Sequence, residues 1–300
     1  MVTQADAERE VTLAMVMKRC RVKVCEKVVA QALHKRGYWF RKLRSKMILT
    51  PHDVAARYAW SKKYKGNSKM WWRKSVHIHL DNHCFKCATT GFARRLLAKR
   101  RVRGVYRKKQ KSLRPAHIKP NPKLRLSTGA KGILKMGGVG GGKVLVWETI
   151  HGAWSGEQAA TMYGSVVAPA LKKRYQGRGA FTILEDNDPT GNCSKKGIAS
   201  KAAKKLRVLS IPKRSPDLNV LDYSIWAEVE RHMRDQERKM SKTKHETRAQ
   251  FERRLDRTAF ALPPAYINRA VENMQKRCRL LYEAEGGLFE EGGRPTKPRS

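Results

Sequence analysis

Between residues 180 and 240 the chain alternates short apolar segments with helical patterns, and this order restricts the possible folds more than any other feature. Residues 180–184 and 206–211 are apolar enough for buried strands, and a basic helix is predicted between them at 195–205. Earlier strands are predicted at 75–81 and 143–150. This order predicts an α/β fold in which a mixed sheet carries helices on both faces.

Two acidic residues stand next to these apolar segments, with 35 residues between them. Asp186 follows the strand at 180–184, and Asp222 begins a helix whose apolar stripe includes Trp226. In a chain of net charge +41, ionised acids held close together require a cation. Carboxylates suit Mg²⁺ or Mn²⁺, and two such ions can clamp the attacking and leaving oxygens of a phosphodiester. Asp217 is predicted to cap the helix through an Asx-turn.

Asp81 is a third candidate, because it ends the alternating strand predicted at 75–81. A core strand that ends in an acid delivers a carboxylate to the edge of a sheet. The pair Asp81-Asn82 is equally typical of a turn. The residues by themselves leave both interpretations open.

The charge of the chain predicts a polyanionic partner, with nucleic acid far ahead of a membrane. Lys and Arg total 66 against 25 acids, and the pI is near 10.5. From Asn82 to Trp147 there are eighteen basic residues and no acid, so binding is expected to depend strongly on salt. The same basic runs are candidate nuclear-import signals. With no signal-peptide pattern and no apolar run of about 20 residues, an intracellular protein is expected.

The amino-terminal region contains two short helical patterns, and Gly37 is placed to end the second. They match a helix-turn-helix, although an ordinary basic helical hairpin has the same pattern. A further helix is predicted from Thr50, with Thr50 as N-cap, to about Tyr64. The glycine run 137–142 is predicted to be a flexible turn.

The cysteines do not indicate a zinc site. Cys84 and Cys87 form one CxxC motif, and no second pair follows at the spacing of a zinc ribbon. Reduced thiols are therefore expected.

Several of these motifs resemble the mariner-type transposases, whose catalytic domain has an RNase H-like fold with three acids. The segment Asp186-Asn-Asp-Pro189 is similar to the block around the family's second acid, and Ser-Pro-Asp-Leu-Asn219 to the block before its third. Trp72 to Asp81 is similar to the approach to the first acid. The resemblance covers roughly residues 25–290 and includes the Val-Trp end of the strand at 143–150.

The resemblance implies that Asp81, Asp186 and Asp222 are catalytic and hold two Mg²⁺ or Mn²⁺ ions. Glu185 and Asp188 are weaker candidates as ligands. The implied reaction is hydrolysis of a DNA phosphodiester followed by strand transfer. The implied partners are double-stranded DNA (transposon ends and target) and a second copy of the chain, in the nucleus.

The resemblance also implies three regions: a helix-turn-helix segment and linker (1–64, one unit where the family usually has two), an RNase H-like catalytic domain (65–240) and a helical extension (241–300). The basic residues assigned to DNA binding are Lys27, Lys35, Arg36, Arg41, Lys42, Arg44, Arg100, Arg101, Arg103, Arg107, Lys108 and Lys109.

Two other functions remain open on the sequence. The extreme charge and the single helix-turn-helix also fit a catalytically inactive, transposase-derived DNA-binding protein. An RNA-binding or ribosomal protein would explain the charge but leaves the spaced acids unexplained.

Overall fold

The computed structural model describes residues 13–42, 44–46, 49–91, 104–107, 118–120, 132–241 and 243–289. The chain divides into two units, one formed by residues 1–49, 99–127 and 288–300 and the other by residues 50–98 and 128–287. None of the described helices is long and apolar enough to cross a lipid bilayer.

The first unit contains the two predicted amino-terminal helices, α1 (Leu13–Cys20) and α2 (Glu26–Lys35). Helix α2 ends as predicted at Gly37, whose φ of +79° is readily adopted by glycine. The amide of Gly37 donates to the carbonyl of His34, and the amide of Tyr38 to that of Leu33, which is the Schellman arrangement. The two-helix pattern is thus confirmed.

Four short strands complete the described part of this unit. Strand β1 (Trp39–Lys42) pairs antiparallel with β4 (Gly104–Arg107), and β2 (Arg44–Lys46) pairs parallel with β5 (Ile118–Pro120). Residues near 40 and near 105 are therefore neighbours despite their separation in sequence.

The second unit is built on a five-stranded mixed sheet of order β7-β6-β3-β8-β9. Strands β3 (Ile78–Phe85), β6 (Ile133–Gly140) and β7 (Lys143–Thr149) are antiparallel neighbours. Strands β8 (Phe181–Glu185) and β9 (Leu206–Ser210) are parallel to β3. The predicted mixed α/β sheet is confirmed.

Helices cover both faces of this sheet. One face packs against α5 (Gly156–Thr161), a π-helical segment (Met162–Val167) and α6 (Ala168–Arg174) through a continuous apolar core. The other helices are α3 (Pro51–Tyr64), α4 (Lys69–Lys74), α7 (Lys195–Ala203), α8 (Trp226–Lys239), α9 (Arg248–Phe260) and α10 (Pro264–Glu283). Trp226 of α8 and Asp256 of α9 both contact Trp147 of β7, which places these helices on the opposite face.

Helix α3 begins where the sequence predicts. The hydroxyl of Thr50 accepts from the amide of Asp53, and the carboxylate of Asp53 accepts from the amide of Thr50. The helix belongs to the second unit and not, as predicted, to the amino-terminal segment and linker.

The expected end of the strand at 75–81 was wrong. Asp81 does not end its strand, because β3 continues to Phe85 along the whole of β6. His79, a polar residue of this alternating segment, is fully buried, and burial lowers its pKa to about 3. The alternating pattern therefore belongs to a strand covered on both faces.

The predicted flexible glycine turn is mostly strand. Residues 137–140 lie in β6, and only Gly141 and Gly142, with φ of +54° and +74°, form the hairpin turn. A Cβ at Gly137 would lie 2.3 Å from the ring of Trp226, and one at Gly140 would lie 1.9 Å from the carbonyl of His77. Close approach by neighbouring elements, rather than flexibility, therefore explains these glycines.

A buried ion pair ties α3 to the segment before the third acid. Arg57, fully buried, donates to both carboxylate oxygens of Asp217 at 2.8 and 2.7 Å. It also donates to the hydroxyl of Ser215 and to the carbonyl of Gly286, both at 2.9 Å. Asp217 was expected to cap the following helix, and that prediction was wrong because its carboxylate is occupied by Arg57.

Candidate metal centre

Asp81 lies in the middle of β3 on the face covered by α8. It is directly opposite Gly137 in the register of β3 and β6, so both positions face the same side of the sheet. Because Gly137 has no side chain, the indole of Trp226 lies against β6 and its Nε1 donates to Asp81 Oδ2 at 2.8 Å. The glycine thus makes room for the group that orients the first acid.

Asp186 follows the last residue of β8, as the sequence predicts. Its Oδ1 accepts from Asn192 Nδ2 at 2.7 Å, and the amide of Asp188 also donates to its carboxylate. Strand β8 lies beside β3 in parallel register, with His79 opposite Leu184. The end of β8 therefore comes close to the part of β3 that carries Asp81.

Asp222 lies in a π-helical segment, Leu221–Ile225, that leads directly into α8. The entry to this segment is set by Asn219, whose Oδ1 accepts from the amide of Leu221 at 3.1 Å. Asn219 therefore forms the Asx-turn that was expected of Asp217. A π-helical turn is uncommon in proteins and frequently marks a functional site.

The pKa of each of the three carboxylates is raised, and the charge of Asp186 contributes to the shifts of Asp81 and Asp222. Burial is the first cause for each, and the charge of Asp222 and then that of Asp186 further raise the pKa of Asp81 well above its usual range. Burial and the charge of Asp186 raise the pKa of Asp222 to about 7, against a lowering by its hydrogen bond with Asp81. The acids predicted from the sequence are therefore close neighbours in space.

Solvent still reaches this group of acids. Asp186 and Asp222 are exposed over part of their surface, and Asp81 is half-buried. Many protein atoms nevertheless surround the carboxylates. Water screens the repulsion between partly exposed charges, which reduces the energetic cost of bringing the three acids together.

The chemistry of this group fits a divalent cation. The charged groups that act on Asp81 and Asp222 are other carboxylates, so nothing basic among them offsets the repulsion. Oxygen ligands of this kind are those that Mg²⁺ and Mn²⁺ prefer. Within the described ranges, no three His, Cys, Asp or Glu side chains already enclose a site for an ion. The assignment of the three acids as ligands stays a prediction.

The two weaker candidates have other partners. Glu185 is buried and pairs with Lys201 and with the hydroxyl of Tyr163. Asp188 Oδ2 accepts from the amide of Gly191 at 2.9 Å, which closes the turn after Asp186. Their side chains therefore stabilise the structure around Asp186.

The predicted DNA-binding residues belong to the first unit. Lys27, Lys35 and Arg36 are exposed on α2 and at its end. Register places Arg107 of β4 opposite Trp39 of β1, the strand that contains Arg41 and Lys42, while Arg44 begins β2. Arg100, Arg101, Arg103, Lys108 and Lys109 lie outside the described residues.

Sequence reasoning missed the side chains that hold the acids in place. Trp226 was expected only to pack inward, and Asn192 and Arg57 carried no recognisable signal. Cys84 and Cys87 are half-buried, and neither forms a disulfide.

Comparisons with known proteins agree with the resemblance seen in the motifs. No family model matches the chain. The Tcb2 transposase of Caenorhabditis briggsae is 23% identical over 301 residues, which cover 95% of this chain and 96% of the relative. The Tc1 transposase of Caenorhabditis elegans is 23% identical over 272 residues, covering 87% of this chain and 86% of the relative.

Solved structures share the fold. The Mos1 transposase paired-end complex with the left transposon end matches with a TM-score of 0.62 at 14% identity, over 96% of this chain and 78% of that one. The Mos1 catalytic domain with raltegravir and Mg matches with a TM-score of 0.57 at 14% identity, over 81% of this chain and 100% of that one. Similarity in sequence over almost the whole chain, together with this shared fold, identifies the protein as a relative of the mariner/Tc1-type transposases.

Proposed function

We propose that this protein is a DNA transposase that cuts DNA phosphodiesters and transfers the cut strand to a target. The observation that carries the proposal is the grouping of Asp81, Asp186 and Asp222, which come from three separate elements and repel one another. Three mutually repelling carboxylates weaken a fold unless a cation offsets them. The similarity to Tc1 and Tcb2 transposases supports the same reaction.

Asp81, Asp186 and Asp222 would hold two Mg²⁺ or Mn²⁺ ions. Bound divalent cations would polarise the phosphate and favour loss of a proton from the attacking hydroxyl. Hydrolysis forms a bond from a water oxygen to phosphorus and breaks the bond from phosphorus to the 3′-oxygen. In strand transfer the freed 3′-hydroxyl attacks a phosphorus of the target, whose own 3′-oxygen leaves. Trp226 would keep Asp81 oriented through both steps.

The basic residues of the first unit would bind the DNA. Lys27, Lys35 and Arg36 give α2 and its end an exposed basic surface, suited to phosphates beside the major groove. A homodimer would bring two DNA ends together, as the paired-end complexes of Mos1 do. The nucleus is the proposed location, since the substrate is there and the chain has several basic runs.

Cleavage of a supercoiled plasmid by the purified full chain tests this function. Nicking is expected with Mg²⁺ or Mn²⁺, and none is expected with EDTA or with Asp186→Asn. The plasmid should carry the DNA that flanks the gene on both sides, so that absence of a recognition sequence does not explain a negative result. Binding of that plasmid without nicking under either metal would contradict the proposal.

A second candidate function is DNA binding without catalysis. It is favoured by the net charge of +41 and by the two-helix pattern of the amino-terminal region, which support DNA binding and need no metal. In that case Asp186→Asn and Asp222→Asn would leave DNA binding unchanged and would remove no activity.

A further inference from the structure

We propose that Asn192 is a positioning residue for the second acid, Asp186, and that a buried polar network holds Asn192 in place. The network, called here the Asn192 network, consists of Tyr163, Glu185, Asn192 and Lys201. The proposal rests on the proposed function, because it assigns Asn192 the support of a metal ligand.

The amide of Asn192 joins the network to Asp186. Its Nδ2 donates to Asp186 Oδ1 at 2.7 Å and lies 3.3 Å from the Asp186 carbonyl. An ionised carboxylate can only accept hydrogen bonds, so the NH₂ group must face Asp186. The amide oxygen then faces the hydroxyl of Tyr163, a donor, at 3.1 Å. In this one orientation the amide has a polar partner at each end.

The rest of the network fixes Asn192 from behind. Lys201 Nζ donates to the main-chain carbonyl of Asn192 at 2.8 Å and forms an ion pair with Glu185. The hydroxyl of Tyr163 also donates to Glu185 Oε2 at 2.5 Å, so its single proton is divided between Glu185 and Asn192. These four side chains are at most 7% exposed. Because they come from the π-helical segment 162–167, β8, α7 and the loop before it, the loop cannot shift without breaking the network.

This arrangement matters because Asp186 has little else to orient it. It lies beyond the end of β8, and its side chain is exposed. Groups that hydrogen-bond to a metal ligand typically change metal affinity by about 10–100-fold when removed. A buried ion pair such as Glu185–Lys201 contributes little net stability by itself, which is consistent with a role in fixing geometry.

The test compares Mn²⁺ binding and thermal unfolding of the full chain in four variants. Asn192→Leu keeps the volume and removes the donor. Asp186→Asn removes the ligand. Tyr163→Phe loosens the amide without touching Asp186. Thr190→Ala is the matched control, since Thr190 lies in the same loop and its hydroxyl donates to Asp188. Free Mn²⁺ is followed by electron paramagnetic resonance, and melting is recorded in EDTA.

We expect Asn192→Leu to weaken Mn²⁺ binding at least tenfold, Tyr163→Phe to weaken it a few-fold, and Thr190→Ala to leave it unchanged. In DNA cleavage, the KM for Mn²⁺ should rise for Asn192→Leu while kcat recovers at saturating Mn²⁺. A purely structural role would lower the melting temperature in EDTA and leave the affinity of the folded protein unchanged, which would overturn the proposal.

Two further outcomes separate this inference from the proposed function. If Asp186→Asn loses Mn²⁺ binding while folded Asn192→Leu and Tyr163→Phe bind like the parent, the positioning role is wrong and the metal centre stands. If Asp186→Asn binds Mn²⁺ as tightly as the parent, the metal is not held at these acids and both proposals fail. Should Asn192→Leu not fold, Tyr163→Phe decides, since it keeps the ring.

Discussion

Replacing Arg57 by methionine should destabilise the second unit strongly. The change keeps an apolar stem and removes the guanidinium that pairs with Asp217, where the two side chains are 0% and 4% exposed. The Asp217 carboxylate would then remain buried without a counter-charge, and Ser215 and the carbonyl of Gly286 would each lose a donor. Breaking a buried ion pair from one side typically costs about 3–5 kcal/mol. For a unit of this size that corresponds to a fall of about 10 °C in melting temperature.

Urea unfolding followed by tryptophan fluorescence measures this loss. The control is Arg73→Met, because the Arg73–Glu272 pair is 40% and 24% exposed and should contribute less than about 1 kcal/mol. The double variant Arg57→Met/Asp217→Asn should recover about 2 kcal/mol relative to Arg57→Met, since it also removes the stranded charge. A loss below about 1 kcal/mol for Arg57→Met, or no recovery in the double variant, would refute the reasoning.

Three other results are expected. Asp222→Asn should raise the melting temperature of the metal-free protein at pH 8. Folding raises the pKa of Asp222 from 3.8 to about 7. Ionisation of Asp222 therefore opposes folding increasingly as the pH rises above 4, and fully above pH 7. Because solvent screens the charge, we expect the free energy of unfolding to increase by about 1 kcal/mol at pH 8 and by nothing near pH 4. A stabilisation that does not depend on pH would contradict this reasoning. Gly137→Ala should cost about 1–3 kcal/mol and reduce metal affinity by displacing Trp226 from Asp81, whereas Gly66→Ala, with open space around it, should be neutral in a melting experiment. DNA affinity measured by fluorescence anisotropy should fall by about 10³-fold or more between 50 and 200 mM salt, and a flat profile would exclude binding through phosphates.

The predictable parts of the fold are those that depend only on residues close together in the sequence. Residues within a few positions of each other determine the capping box at Thr50 and the helix end at Gly37. They also determine the apolar strands near 181 and 206. Asp186 and Asp222 could be singled out for the same reason, since each directly adjoins an apolar segment.

The remaining features depend on partners distant in sequence. Nothing near Gly137 reveals that Trp226 will lie against it, so a strand with three glycines had the pattern of a turn. Asp217 and Asn219 are equally suited to an Asx-turn. Asn219 forms it because the carboxylate of Asp217 is paired with Arg57, which is distant in sequence. The end of β3 could not be predicted either, because its length is set by pairing with β6.

The order of the elements along the chain has a consequence for synthesis on the ribosome. Strand β3 pairs with β6 and β8, Trp226 then completes the surroundings of Asp81, and Tyr58 of α3 stacks on Tyr282 of α10. Helix α3, the first of this unit, can therefore form its contact with α10 only after α10 has been synthesised. Contacts of such long range in sequence form slowly. A nascent chain that ends before α10 would have all five strands and the three acids, but α3 would lack its partner. Assembly of the acidic centre is itself a late event, because Asp81 cannot receive the hydrogen bond of Trp226 until about 180 residues of the unit are translated.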